Sequence, residues 1–225
     1  AGADRDPAFA AEAMSLPGEA FLADQMAVID FEEIHWARQS ARRAIGQALG
    51  IELLATYHRL TDTGAYRIDG ASIGRRALRN SCLAYLVAAG REDGVRLARA
   101  QFETAGNMTD VLAAFSTLNG VDCPERVEVT AAFYEKWHGD DLVIDKWFAI
   151  QAMSPLPGTI EAVRALMVHP DFDFRNPNRM RAVLGSFSFG NPVHFHAASG
   201  EAEASRAYAL LLEHRPGAAA ASMRI

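Results

Sequence analysis

A chain of 225 residues that is half hydrophobic can bury a sizeable core, and its composition does not change regime along its length, so one elongated domain or two fused helical subdomains is expected. With 28 acidic against 22 basic residues the formal charge is −6 and no basic stripe appears, which argues against a nucleic-acid partner, whose binding rests on neutralised phosphates. No apolar run nears the roughly 20 residues of a membrane span, and two distant cysteines in apolar helical contexts, Cys82 and Cys123, read as buried thiols of a reducing, cytoplasmic setting.

From the N-terminus, residues 1–6 lack a basic-then-apolar leader and read as an internal start, as if cut from something longer. Asp6-Pro7 and, far downstream, Asn176-Pro177 place a capping side chain before a proline whose missing N–H costs nothing at the first helical position. Asp30 with Glu33, and Asp122 with Glu125, have capping-box spacing, so helices should follow both. Stops are expected at Gly50, Gly90, Gly106, Gly120, Gly139 and Gly158, where a residue without Cβ tolerates the left-handed turn that ends a helix. β-Branched residues are sparse and never alternate with polar ones, so helix is favoured throughout.

From about Ser72 onward the helices pair. Segments opening at Asp110, Asp145 and Asn178 share a polar start followed by an apolar run, and they recur after 35 and 33 residues. That period, two helices and two turns, predicts an all-α superhelical stack of helical hairpins, an α-solenoid of ARM/HEAT-like kind. Leu78, Cys82, Tyr85 and Ala89 form a stripe at helical spacing that should face the core. The expected organisation is a helical part over 1–70, solenoid repeats over 71–205 and a low-complexity, fraying tail over 206–225.

Catalytic machinery is not found. A zinc peptidase needs two histidines one helical turn apart with a glutamate beside the first, and no His-Glu dipeptide occurs. Of the seven histidines only His194 and His196 are close, with no nearby acid or thiol to complete a ligand set, so a turn or helix-capping role is expected. There is no nucleophile elbow, phosphate loop or dinucleotide glycine pattern, and Gly185-Ser-Phe-Ser-Phe-Gly190 reads as a helix end. Arg75, Arg76 and Arg79 crowd one turn; a solvated face or internal ion pairs is the expected reading and a phosphate site the minor one. Two stretches are unusual for pure scaffold: the aromatics from Phe133 to Phe148, and Asn176-Pro-Asn-Arg-Met-Arg181, whose arginines at a helix start suit a carboxylate or phosphate, or else an internal cap and ion pair.

Taken together, Arg75–Leu83, Asn107–Asp110, Lys136-Trp-His138, Asp145–Phe148, Gln151–Ser154 and Asn176–Arg179 resemble the C-terminal helical domain of bacterial aminopeptidase N, the zinc-dependent alanyl aminopeptidases of the gluzincin clan, over roughly 4–197. The resemblance implies a cap that closes the active-site cavity of a four-domain enzyme and restricts entry to peptides, with the zinc and the catalytic motifs held by another domain of the same polypeptide. It implies no cofactor and no catalytic residue in this chain, which alone should be inactive, and it implies that Arg181 faces the cavity beyond the scissile bond, with Asn178 and Arg179 lining it. The segment after Arg215 matches none of the helices with which the family continues, so exposure of the last hairpin's apolar face and self-association are expected. A free-standing α-solenoid that binds a protein partner is the rival reading.

Overall fold

Short polar side chains start the helices, each accepting a hydrogen bond from an amide that the first turn leaves without a helical partner. In the computed structural model, which describes residues 5–61 and 64–197, Asp6, Asp30, Asp69, Asn107, Asp140 and Asn176 all cap in this way. The elements are α1 (Pro7–Ala13), α2 (Glu19–Ala23), α3 (Phe31–Ala48), α4 (Gly50–Arg59), α5 (Gly70–Ala88), α6 (Glu92–Thr104), α7 (Met108–Asn119) and α8 (Pro124–Trp137). They continue with α9 (Asp141–Ala152), α10 (Thr159–Met167), α11 (Pro177–Met180), a π-helical turn (Arg181–Gly185), α12 (Ser186–Gly190) and α13 (Pro192–Phe195). Every regular element among the described residues is helical, as the sequence predicted, and none is long and apolar enough to cross a membrane.

Two kinds of punctuation differ from expectation. Asp122 stands two residues before α8, which begins at Pro124, so the capping box expected there does not start the helix. Of the six expected glycine stops, only Gly90 (φ +73°) and Gly158 (φ +82°) take the left-handed conformation, and Gly158 caps the start of α10. Gly50 opens α4 instead of ending α3, because α3 already stops at Leu49.

The chain divides into two compact units, 1–131 and 132–225. In the first, α5 is the hub, packing on α1, α3, α4, α6 and α7, so helices on both sides of the expected boundary at 70 share one unit. The predicted stripe Leu78, Cys82, Tyr85 and Ala89 is buried, with Leu83 and Leu86 beside it. Close approach here depends on glycine: a Cβ on Gly46 would lie 2.3 Å from the Tyr85 carbonyl oxygen, and one on Gly94 would lie 2.9 Å from that of Leu86. Tyr85 Oη donates to the Met14 carbonyl, which ties the end of α1 to α5.

The second unit is built on α9, which packs on α10, α11, the π turn and α12. Its contacts are aromatic. Phe133, Ile144, Phe148 and Val183 are buried, and Tyr134, Trp147 and Phe148 surround the His169 ring at centroid distances of 5.2, 5.3 and 5.6 Å. Each such fully buried side chain contributes roughly 1.5–3 kcal/mol relative to exposure. The part of the tail expected to fray, 206–225, lies outside the described residues.

Candidate functional site

Asn176 caps α11 by accepting from the amides of Asn178 (3.0 Å) and Arg179 (3.3 Å), which fixes where the next side chains go. Asn178 and Arg181 are exposed, whereas Arg179 is only 2% exposed. The Arg179 guanidinium spends its nitrogens internally. Nε donates to Asp145 at 2.6 Å, Nη2 to Asp141 at 3.3 Å and Nη1 to the Asp171 carbonyl, while the planar group lies 4.9 Å over the Phe148 ring. Asp171 in turn accepts from Tyr134 Oη at 2.7 Å, an interaction that raises the phenol's pKa. Of the three residues expected at a cavity wall, then, two offer polar ends to solvent and the third fastens their helix to α9 and to the loop before it.

Arg181 opens a π turn, in which each amide reaches back five residues and the helix locally widens. Such turns often occur at functional positions, and no feature of the sequence announced this one. The turn is followed by a second feature the sequence hid. Gly190-Asn191-Pro192 looks like another helix start, yet the Asn191 side chain makes no cap; it is buried and donates to the carbonyls of Ala152 (3.2 Å) and Ser154 (2.7 Å), where α9 ends.

The first unit has its own polar centre around Asp110, the first of the periodic aspartates. Asp110 accepts from Asn80 and Asn107, both at 2.9 Å, and lies 3.7 Å from Arg79. Gln101, 2% exposed, bridges Asn80 (2.8 Å), the Asp110 carbonyl (2.9 Å) and the Tyr57 hydroxyl (3.0 Å), which also accepts from Arg79 at 2.9 Å. Burial raises the Tyr57 pKa, so this hydroxyl stays a donor. The network borders a cleft of about 260 Å³ with Tyr66, Arg76, Thr104 and Asn107 on its walls. The expected internal ion pairing of the arginine turn holds for Arg79, and Arg75 donates to Ser72 at 3.2 Å.

No group of three His, Cys, Asp or Glu side chains among the described residues is arranged to hold a metal ion. His194 is half-buried with its Nε2 unpartnered, and the exposed His196 ring packs edge-on to Phe195 at 4.9 Å. Cys82 is buried and its thiol is pushed up to about 11 by desolvation; Cys123 is half-buried and raised for the same reason. Neither is a thiolate nucleophile at neutral pH.

Residues 1–213 match the model of a domain family described as a domain of unknown function (DUF3458_C) with ARM repeats. The chain belongs to this family. This ARM-repeat domain is 39% identical over 195 residues to aminopeptidase N of Escherichia coli (strain K12), across 87% of the domain and 22% of that protein. It is 36% identical to aminopeptidase N of Caulobacter vibrioides across 87% of the domain and 23% of that protein. A solved structure of Legionella pneumophila aminopeptidase A in complex with aspartic acid superposes with a TM-score of 0.82 at 31% identity, covering 92% of the domain and 25% of that chain. The resemblance drawn from the motifs therefore holds, and the domain spans less than a quarter of the length of the curated relatives it matches.

Proposed function

We propose that the ARM-repeat domain serves as the C-terminal cap of a zinc-dependent aminopeptidase, closing the cavity in which N-terminal residues are removed from peptides and limiting what enters it. What carries the reading is coverage. Nearly the whole domain aligns with aminopeptidases at 36–39% identity, yet it amounts to only 22–23% of each, so most of such a polypeptide lies outside it. In this reading the zinc is held by the catalytic domain, and no chemical step is assigned to the ARM-repeat domain. The two unpaired thiols support a reducing, cytoplasmic setting.

In this reading Arg181 and Asn178 line the cavity, and Arg179 acts as a positioning residue from beneath. A guanidinium presents a planar fork of N–H donors suited to a peptide carbonyl or terminal carboxylate beyond the scissile bond. Arg179, pinned to Asp145, keeps α11 and the first residue of the π turn in place, so Arg181 projects from a fixed base. In the full-length enzyme, Arg181→Ala should lower kcat/KM roughly 10- to 100-fold for dipeptides and longer peptides, the worth of one charged hydrogen bond. Hydrolysis of an aminoacyl anilide, which has no residue beyond the bond, should change little; equal losses on both substrates would remove Arg181 from the wall.

A further inference from the structure

Arg76 stands apart from the other buried arginines. It is 8% exposed, yet among the described residues its guanidinium has no hydrogen bond and no ion pair; the Tyr66 ring lies over it, 4.8 Å from the centroid. A guanidinium on so buried a side chain ordinarily meets an acceptor, and this one keeps its donors for whatever enters from outside the immediate packing. Its free edge opens into the cleft of about 260 Å³, several times the ~30 Å³ of a water in liquid. Arg79, three residues along α5 and therefore a neighbour on the helix surface, lines the same cleft, and its Nε is buried without a partner. Arg79 is held by Asp110 and Tyr57, so Arg76 is the arginine left to meet a ligand there.

We infer that this cleft of the first unit binds a carboxylate, gripped by the Arg76 guanidinium with the charge of Arg79 beside it. Charge sets the class of ligand. Asp110 is the one acidic side chain among the described residues of the cleft wall, and Asn80, Asn107 and Arg79 already occupy it, so it does not serve Arg76. Among the described residues, two arginines against one aspartate leave a single net positive charge, which suits a monoanion and disfavours a dianion such as phosphate. The guanidinium fork matches a planar carboxylate in bidentate fashion, and Thr104 and Asn107 on the wall add polar edges for the rest of the ligand. The carboxylate is either a diffusible ligand or an Asp or Glu side chain from elsewhere in a longer polypeptide carrying this domain. The inference is independent of the cap reading, because it concerns residues remote in sequence from Arg181.

The test uses crystals of the full-length polypeptide, native and soaked with 3-bromopropionate, together with calorimetric titration of propionate and inorganic phosphate. If the ligand is diffusible, the soak should place an anomalous bromine peak in the cleft with the carboxylate on Arg76. Arg76→Gln should then weaken propionate binding about tenfold or more without lowering the melting temperature, Arg76→Lys should retain part of the affinity, and phosphate should bind more weakly. If the source is internal, the native crystal should show an acidic side chain on Arg76, and Arg76→Gln should lower the melting temperature. A cleft without a carboxylate on Arg76 in either crystal, or tighter binding of phosphate than of propionate, overturns the assignment.

Discussion

In the first unit Arg79 faces Asp110 at 3.7 Å, donates once to Tyr57 and leaves its Nε with no acceptor, whereas in the second Arg179 meets Asp145 at 2.6 Å and commits all three of its nitrogens. The two aspartates are the same landmark of the repeat, 35 residues apart. A guanidinium carries five N–H donors in a fixed fork. Where the surrounding acceptors use them, the arginine is scaffold; where donors are left over beside a cavity, it is available to a ligand. The units also pack differently. Glycines bring helix backbones together in the first, and edge-on and tilted aromatic rings fill the second.

The largest test of this difference is paired substitution. Arg179→Met strips Asp145 of its buried counter-charge and should cost about 3–5 kcal/mol, whereas Arg79→Met, losing one long ion pair and one hydrogen bond, should cost about 1–3 kcal/mol. Hydrogen exchange resolved over 5–131 and 132–197 reads each loss where it occurs, and equal costs would erase the distinction. Next in size is Gly46→Ala, expected to destabilise the first unit by about 1–3 kcal/mol through overpacking against the Tyr85 carbonyl while exchange in the second stays unchanged.

The smallest effect is a pH limb. Cys82, buried in the first unit, titrates near 11 in the fold against an ordinary 9.0, so the folded state holds its proton longer. Stability from this group is fully present below 9.0 and declines as pH rises towards about 11. The second unit has no cysteine, and its raised phenol, Tyr134, begins to matter only above the ordinary tyrosine value of 10.0. Alkaline unfolding should therefore begin in the first unit, and Cys82→Ala should flatten that early decline; an unchanged limb would assign it to other groups.

What the sequence disclosed was local. Asp6, Asp30 and Asn176 declare their caps because the acceptor and its amide lie within three residues of each other, and the Leu78 stripe declares its burial through helical spacing alone. The partners of Arg179 lie 34 and 38 residues away, so the sequence could offer an internal ion pair as one of two readings but not name the acids, which depend on how helices are brought together. Gly46 and Gly94 fall inside helices, where sequence reading looks for no special role, because the need for them comes from a facing backbone. The isolation of Arg76 was hidden for a further reason: a residue's lack of partners is a property of everything packed around it.

The wide turn at 181–185 has a consequence for how the second unit tolerates change in length. Arg179 clamps the chain to the middle of α9 and Asn191 clamps it to that helix's last carbonyls, so the path between the two anchors has a set distance to cover. The π turn accommodates one residue more than a regular helix would use over that path. Deleting a single residue there would let the helix close to ordinary pitch with its flanks still in phase, whereas deleting one from α12 would rotate Asn191 by roughly 100° about the helix axis relative to Arg181. The direction of that arginine is thus encoded by a count of residues between two fastenings as well as by its own identity.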